Sequence, residues 1–138
     1  MIKEPKHTAL TYTTALPYNS RMHSVAETSI FTRRADALLS REDRAALIGA
    51  IAADPQGGDL VPGLGGIRKR RFAPEGRGKS GAFRVIFYYA AADLPVLALL
   101  IYAKNEQAEI SSDQRRAMLK LIEDFKARRR AKKEGQAG

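Results

Sequence analysis

The sequence predicts an α+β fold whose elements follow the order strand, two helices, three strands, helix. Two observations predict this order. Apolar residues recur at helical spacing before residue 54 and again after residue 111, whereas residues 66 to 104 alternate polar and apolar side chains or run continuously apolar, as strands do. A chain of 138 residues is long enough for one hydrophobic core and too short to predict two domains.

The first strand and a helical hairpin are predicted between residues 24 and 54. Residues 24 to 28 are the strand, and the segment SIFTRRADALL that follows places its apolar side chains on one helical face. Ser40 with Asp43 three residues later is a capping pattern that begins the second helix, and Asp54 with Pro55 ends it. We expect the two helices to lie antiparallel.

Three antiparallel strands are predicted after the glycine-rich loop GGDLVPGLGG. Residues 66 to 73 and 82 to 90 alternate in polarity, and the segment PEGRGKSG between them supplies the turn residues of a long, basic hairpin loop. Residues 94 to 104 contain the continuous apolar run VLALLIY. Such a run is typical of a central strand that is buried on both faces.

A final helix completes the domain. Ser111 with Gln114 is another capping pattern, and an apolar stripe follows it. The predicted domain therefore spans residues 24 to 126. Residues 1 to 23 lack a sustained period and are predicted to be a mobile N-terminal extension, and residues 127 to 138 are predicted to be a basic C-terminal tail that frays.

The composition excludes several classes of protein. There is no Cys, and the two histidines, His7 and His23, lie near the N-terminus, so we expect neither a thiolate nucleophile nor histidine acid–base catalysis. No grouping of Asp, Glu and His has metal-ligand spacing, which predicts no metal and no cofactor. The sequence contains neither an apolar run of roughly 20 residues nor a signal peptide, which predicts a cytoplasmic protein without a membrane partner.

Positive charge is the strongest functional signal. The formal charge is +9 and the pI is near 10.1, which indicates an acidic partner such as nucleic acid. Between residues 65 and 89 seven cations are threaded through aromatic and aliphatic positions, with Glu75 the only acid. These cations are Arg68, Lys69, Arg70, Arg71, Arg77, Lys79 and Arg84. Like charges at strand spacings repel one another unless a polyanion neutralises them.

Alternation places Lys69 and Arg71 on one face of their strand, and Arg84 of the neighbouring strand joins them if the register allows it. Three such cations can direct their hydrogen bonds at one phosphodiester. Arg84 is the most informative residue, because a cation in an apolar strand is costly to bury without a partner. The alternatives are that the cluster is a solvated surface, or that Arg84 pairs with an internal acid.

One reaction suits a site that contains only cations, namely cleavage of RNA by its own 2′-hydroxyl. Lys and Arg can stabilise the pentavalent phosphorane without a metal ion. Lys69 or Lys79 is then the candidate general base. The segment GRGKSG lacks the spacing of a nucleotide-binding P-loop and precedes a strand, so a nucleotide site is not predicted.

The segments GGIRKRR, GRGKSGAFRVIFYY and IYAKNE resemble those of the RelE/ParE superfamily of bacterial toxins, and especially the RelE/HigB branch of type II toxin–antitoxin modules. The likeness extends over residues 25 to 125. It implies a small RelE-like fold, with an antiparallel sheet packed on a helical hairpin, and ribosome-dependent mRNA cleavage that inhibits translation. The implied partners are a cognate antitoxin, the ribosome and mRNA, with operator DNA reached only through the antitoxin complex.

The resemblance also implies roles for individual residues. The family's basic strand residues fall on Lys69, Arg71 and Arg84, and Lys79 belongs to the matching basic loop, so these four are the predicted catalytic residues. The further residues predicted to bind RNA are Arg68, Arg77, Lys104 and Asn105. Two positions depart from RelE itself: Asn105 stands where RelE has an arginine, and Ser111 stands near the position of a tyrosine that can stack on a base. HigB-like members commonly read AKNE here, so the first departure favours that branch.

Two other functions remain compatible with the sequence. A ParE-like protein with the same fold would inhibit DNA gyrase without being an enzyme. A basic RNA-binding module without catalytic activity would need only the charge. The segments AKNE and GRGKSG favour the ribonuclease.

Overall fold

The structure, a computed structural model, describes residues 10–14, 23–74 and 82–137, and gives side chains for residues 23–74 and 82–132. These residues form six strands and three helices, which confirms the α+β class. In chain order the elements are β1 (Leu10–Thr14), β2 (Ser24–Thr28), α1 (Ser29–Leu38), α2 (Arg41–Ala53), β3 (Asp59–Leu60), β4 (Ile67–Phe72), β5 (Phe83–Tyr88), β6 (Val96–Ala103) and α3 (Ser112–Ala137).

One mixed sheet contains all six strands, in the order β1-β2-β6-β5-β4-β3. The three antiparallel strands expected from the sequence are β4, β5 and β6. The N-terminal strand β2 joins them parallel to β6, so the sheet is mixed rather than wholly antiparallel. β6 is buried on both faces along nearly its whole length, as its continuous apolar run predicts.

The strand β1 lies inside the segment that the sequence analysis treats as an extension without regular structure. It pairs antiparallel with β2, from Leu10 opposite Thr28 to Thr14 opposite Ser24. The sequence pattern does not predict this strand, because a segment as short as LTYTT shows too few positions to establish a period. Its Thr and Tyr residues favour strands, and the edge of β2 supplies hydrogen-bond partners. The rest of the predicted extension up to residue 22 lies outside the described residues.

Side-chain caps begin both helices of the hairpin. The hydroxyl of Thr28 accepts a hydrogen bond from the Phe31 N–H at 3.0 Å and donates one to the Leu99 carbonyl at 3.0 Å, which attaches α1 to β6. The hydroxyl of Ser40 accepts from the Asp43 N–H at 3.1 Å, as the capping pattern predicts. Such caps stabilise a helix by about 1 kcal/mol each.

The hydrophobic core lies between α1, α2 and one face of the sheet. Phe31 of α1, Leu47 and Ile51 of α2, and Val85 and Phe87 of β5 are all fully buried within it. Burial of each large side chain contributes roughly 1.5–3 kcal/mol. Because side chains alternate along a strand, Arg84 and Ile86, which flank Val85 in β5, face the other side of the sheet.

A buried carboxylate connects β2 to both helices. Glu27 of β2 is only 1% exposed and accepts hydrogen bonds from the Thr32 hydroxyl of α1 at 2.8 Å and from the Arg44 guanidinium of α2 at 3.1 Å. Arg44 also donates to Asp36 at 2.7 Å. The hydrogen bond to Glu27 raises the pKa of Arg44 above its ordinary value. The charge of Arg44 is therefore paired within the fold, where Arg44 stabilises the contact of α2 with β2 and α1.

The chain divides between Ala108 and Glu109 into two compact units, and α3 makes up most of the second. The predicted capping box begins this helix: the Gln114 N–H donates to the Ser111 hydroxyl at 3.1 Å, and the Ser111 N–H donates to the Gln114 side chain at 2.9 Å. The helix extends to Ala137 and so includes most of the residues predicted to be a basic tail, since Ala, Arg, Lys and Glu are strong helix formers.

None of the helices in the described part of the chain combines the length and the hydropathy that a membrane span requires.

Candidate functional site

The pairing of β4 with β5 brings three of the four predicted catalytic cations, Lys69, Arg71 and Arg84, to one face of the sheet. Arg71 lies directly opposite Arg84, and Lys69 lies opposite Ile86. Residues that oppose each other in an antiparallel pair share a face. Lys69, Arg71 and Arg84 therefore lie together on the face opposite the α1–α2 hairpin. Alternation in the sequence predicts the shared face of Lys69 and Arg71, and the strand register adds Arg84 to them.

An open cavity of about 310 Å³ lies at this face. Its described lining residues are Gly58, Asp59, Lys69, Arg70, Arg71 and Arg84. Lys69, Arg71 and Arg84 carry cationic side chains on this face and Asp59 carries a carboxylate, whereas the Arg70 guanidinium turns toward α2, so the lining has an excess of positive charge. Adjacent guanidinium and ammonium groups of this kind favour an anion with several acceptor oxygens, such as a phosphodiester.

Arg84 lines this cavity from β5. It lies between Arg71 of β4 and Tyr102 of β6 in the paired register. Its Nη1 atom is buried and has no hydrogen-bond partner among the residues that the structure describes. A buried donor without an acceptor costs about 1–3 kcal/mol, more when it is charged. An oxygen of a bound anion would remove that cost.

Asp59 is the cavity residue that sequence analysis missed. It belongs to β3, a strand of two residues, and pairs with Lys69 of β4, so that the two side chains share a face. A strand this short has no period to detect, and the glycine-rich segment around it reads as a loop. The available signal was the position of an acid immediately after GG and shortly before a basic strand.

Gly58 allows β3 to approach β4 closely. Its φ is +89°, a conformation that side chains disfavour, and a Cβ atom there would lie 2.5 Å from the Lys69 carbonyl oxygen. Glycine at this position therefore lets the chain turn against β4 and place Asp59 beside Lys69.

Arg68 and Arg70 lie on the opposite face of β4 from Lys69. The Arg68 guanidinium donates to the carbonyls of Gln56 at 3.1 Å and Gly58 at 3.3 Å. Arg70 donates to the carbonyls of Ala50 and Asp54 at 3.4 and 3.5 Å. Both arginines thus hold the C-terminal end of α2 and the segment after it, where cations are favourable. Arg68, predicted to bind RNA, does not line the cavity.

The turn after β6 carries two more predicted RNA-binding residues. Lys104 and Asn105 are exposed there and are not among the described residues that line the cavity. Glu106 of the same turn folds back, accepting from the Ala103 N–H at 2.7 Å and from the Arg34 guanidinium. The hydrogen bond from Arg34, helped by that from Ala103, holds the pKa of Glu106 below its ordinary value.

Two predicted site residues cannot be placed. Arg77 and Lys79 belong to the segment between residues 75 and 81, which lies outside the described residues. In the described residues, no group of three or more His, Asp and Glu side chains is arranged to hold a metal ion.

The comparison with known families agrees with this geometry. Residues 25–134 match the family model of the RelE toxin of the RelE / RelB toxin-antitoxin system. The match covers more than half of the chain and includes every residue that lines the cavity. The chain therefore belongs to the RelE toxin family, the toxins of toxin–antitoxin pairs whose partner is an antitoxin protein.

Proposed function

We propose that this toxin is an endoribonuclease that cleaves mRNA on the ribosome and so inhibits translation, with Lys69, Arg71 and Arg84 binding the scissile phosphate. The observation that carries the proposal is that Arg84 lines a cavity rich in cations while its buried Nη1 has no acceptor among the described residues. A phosphate oxygen would supply that acceptor. Membership of the RelE family supports RNA as the source of the phosphate.

Cleavage proceeds by attack of the RNA 2′-hydroxyl oxygen on the adjacent phosphorus. The bond from O2′ to phosphorus forms while the bond from phosphorus to O5′ breaks, leaving a 2′,3′-cyclic phosphate and a 5′-hydroxyl. Negative charge accumulates on the phosphorane oxygens, to which the guanidinium groups of Arg71 and Arg84 donate hydrogen bonds. Removing one such donor typically lowers the rate about 10²–10³-fold.

The ribosome and the basic loop complete this proposed site. A ribosome-bound message is held in one conformation, which aligns the 2′-hydroxyl with the phosphate and lowers the entropic part of the barrier. Lys79, which lies outside the described residues, is proposed as a further contact to the scissile phosphate, and Arg77, Lys104 and Asn105 as contacts to flanking phosphates. The antitoxin neutralises the protein by covering the cationic cavity, and it alone connects the toxin to operator DNA.

The test adds the purified protein to a translating cytoplasmic extract and maps the ends of the mRNA. Cuts in register with codons are expected from the native protein, and Arg84→Ala is expected to lower their rate about 10²–10³-fold. Arg84→Lys keeps the charge but loses the planar fork, so it should recover only part of the rate. Arg41→Ala, at the exposed first residue of α2, removes the same charge away from the cavity and serves as the control.

The same experiment separates the alternatives. Intact mRNA together with inhibited DNA supercoiling would identify a ParE-like gyrase inhibitor and overturn the proposal. Intact mRNA with unaffected gyrase would leave a non-catalytic RNA-binding module. Equal cleavage by Arg84→Ala and Arg41→Ala would show that the cavity is not the site.

A further inference from the structure

We propose that Asp59 is the general base of the reaction, accepting the proton of the attacking 2′-hydroxyl, an inference that rests on the proposed ribonuclease function. Asp59 lines the same cavity as Arg71 and Arg84 and pairs with Lys69 across β3 and β4. Its side chain is exposed, so a substrate in the cavity can reach it.

The chemistry of the other lining side chains leads to this assignment. A guanidinium group has five N–H donors, no acceptor and no accessible deprotonated form, so neither Arg71 nor Arg84 can take a proton. A lysine in its charged form is also a donor only. An ionised carboxylate accepts only, and among the described lining residues Asp59 is the one that carries this group.

The backbone holds Asp59 in a defined place. The residue before it, Gly58, lies so close to the Lys69 carbonyl that a Cβ atom would not fit, and the pairing with Lys69 continues through Leu60 opposite Arg68. A general base must lie within hydrogen-bond reach of its proton, and a carboxylate on a paired strand is better positioned than one on an unpaired loop. Asp59 and Lys69 thus form an adjacent pair of one proton acceptor and one proton donor.

The proposed step is balanced. The 2′-hydroxyl proton passes to the Asp59 carboxylate as O2′ bonds to phosphorus, and the Lys69 ammonium gives a proton to O5′ as the bond from phosphorus to O5′ breaks. Asp59 then releases its proton to solvent and Lys69 takes one from solvent, which restores both groups. No atom is oxidised or reduced. This assignment makes Lys69 the general acid rather than the general base considered from the sequence.

Asp59→Asn in the full-length protein tests the proposal, because asparagine has nearly the same shape but cannot accept the proton. We expect kcat for ribosome-dependent cleavage to fall about 10²–10⁴-fold. KM should stay constant or fall, since a negative charge leaves a phosphate-binding cavity. The loss of rate at acidic pH that a carboxylate base produces in the native protein should be absent from the Asp59→Asn profile. Asp59→Glu should recover part of the rate.

Asp113→Asn is the matched control. Asp113 lies in the first turn of α3, where its side chain is 88% exposed, and the substitution changes the charge by the same amount. We expect it to cleave at the native rate. Melting temperatures of both variants should be close to that of the native protein, because neither carboxylate is buried.

A modified message distinguishes a base from an acid. Replacing O5′ at the cut site by sulfur gives a leaving group that departs without a proton. On this substrate Lys69→Ala should regain most of the native rate, whereas Asp59→Asn should remain slow. A structural role for Asp59 would instead lower the melting temperature and raise KM on both substrates.

Native-like kcat and pH dependence in Asp59→Asn would overturn the inference. If Arg84→Ala still cleaved slowly in the same assay, the proposed function would stand. Recovery of Asp59→Asn on the sulfur substrate would also overturn the inference. Absence of cleavage by the native protein would overturn both proposals together.

Discussion

The two faces of β4 use the same residue types for different purposes. On the helix side, Arg68 and Arg70 donate to backbone carbonyls at the end of α2 and after it. On the other side, Arg71 and Lys69 line an open cavity with Arg84, whose Nη1 has no acceptor among the described residues. Alternation along one strand therefore separates cations that stabilise the fold from cations that are available to a ligand.

This difference shows that positive charge alone does not identify a functional residue. An arginine whose donors are matched by protein acceptors has little left to offer a phosphate, whereas a buried donor without an acceptor is costly unless a ligand supplies one. The scaffold follows the first pattern throughout the Glu27–Arg44–Asp36 network. The cavity follows the second.

The largest effect on cleavage is expected when a cation is removed from the cavity face of β4 rather than from its helix-side face. Arg71→Ala is expected to lower cleavage by about 10²-fold with little change in stability, because Arg71 is exposed and its proposed partner is the transition state. Arg70→Ala removes the same charge one residue away, and should lower the free energy of unfolding by about 1 kcal/mol with a small effect on kcat. Rate measurements in a translating extract and urea denaturation compare them. Similar kinetic losses in both would break the distinction between the faces.

Glu27→Gln should produce the largest loss of stability in the scaffold. It leaves the Arg44 guanidinium without its buried carboxylate, and we expect the free energy of unfolding to fall by about 2–3 kcal/mol, less than for a wholly buried pair because Arg44 is partly exposed. Chemical denaturation measures this change. Folded Glu27→Gln should cleave at the native rate. A lower rate under conditions in which all of the variant is folded would contradict a purely structural role for this network.

Gly58→Ala tests the approach of β3 to β4. The positive φ and the contact with the Lys69 carbonyl predict a loss of about 1–2 kcal/mol in the free energy of unfolding, with slower cleavage because Asp59 and Lys69 shift. Gly49→Ala is the control, since a Cβ atom there meets nothing within 4 Å and alanine favours the helix, so stability should rise by about 0.5–1 kcal/mol. Equal stability of the two variants would contradict this account of Gly58.

The smallest expected effect is a pH-dependent change in the free energy of unfolding when Glu106 is replaced. Its pKa is lowered in the folded protein, chiefly by Arg34, so its contribution is present above the ordinary carboxylate pKa and is lost as the pH falls through the lowered folded value. Because the two side chains are 30% and 37% exposed and solvent screens their attraction, Glu106→Gln should cost at most about 0.5 kcal/mol at neutral pH. Denaturation at about pH 7 and about pH 3 should show that this difference disappears in acid. A difference that persists in acid would argue against the ion pair.

The elements with a long hydrophobic period could be predicted from the sequence, whereas the edge strands could not. The caps at Ser40 and Ser111 and the central strand β6 follow from local patterns, which local interactions reproduce in the fold. β1 and β3 escaped prediction because a short edge strand is stabilised by its partner rather than by its own residues. The assignment of Arg68 to RNA binding followed from charge and stays a prediction, whereas its hydrogen bonds to backbone carbonyls could be seen only in the fold.

Composition and alternation already decide that any phosphate-binding site in this chain consists of Lys and Arg, and that Lys69 and Arg71 share a face while Arg68 and Arg70 occupy the other. Those facts are local, because parity along a strand depends only on the backbone pleat. The register that sets Arg71 opposite Arg84 and the position of Asp59 beside Lys69 depend on contacts between distant segments. So do the carbonyls that accept from Arg68 and Arg70, which lie in α2 for Arg70 and in the segment after α2 for Arg68. Tertiary packing therefore selects, from a set of equivalent cations, the few that remain available to an anion.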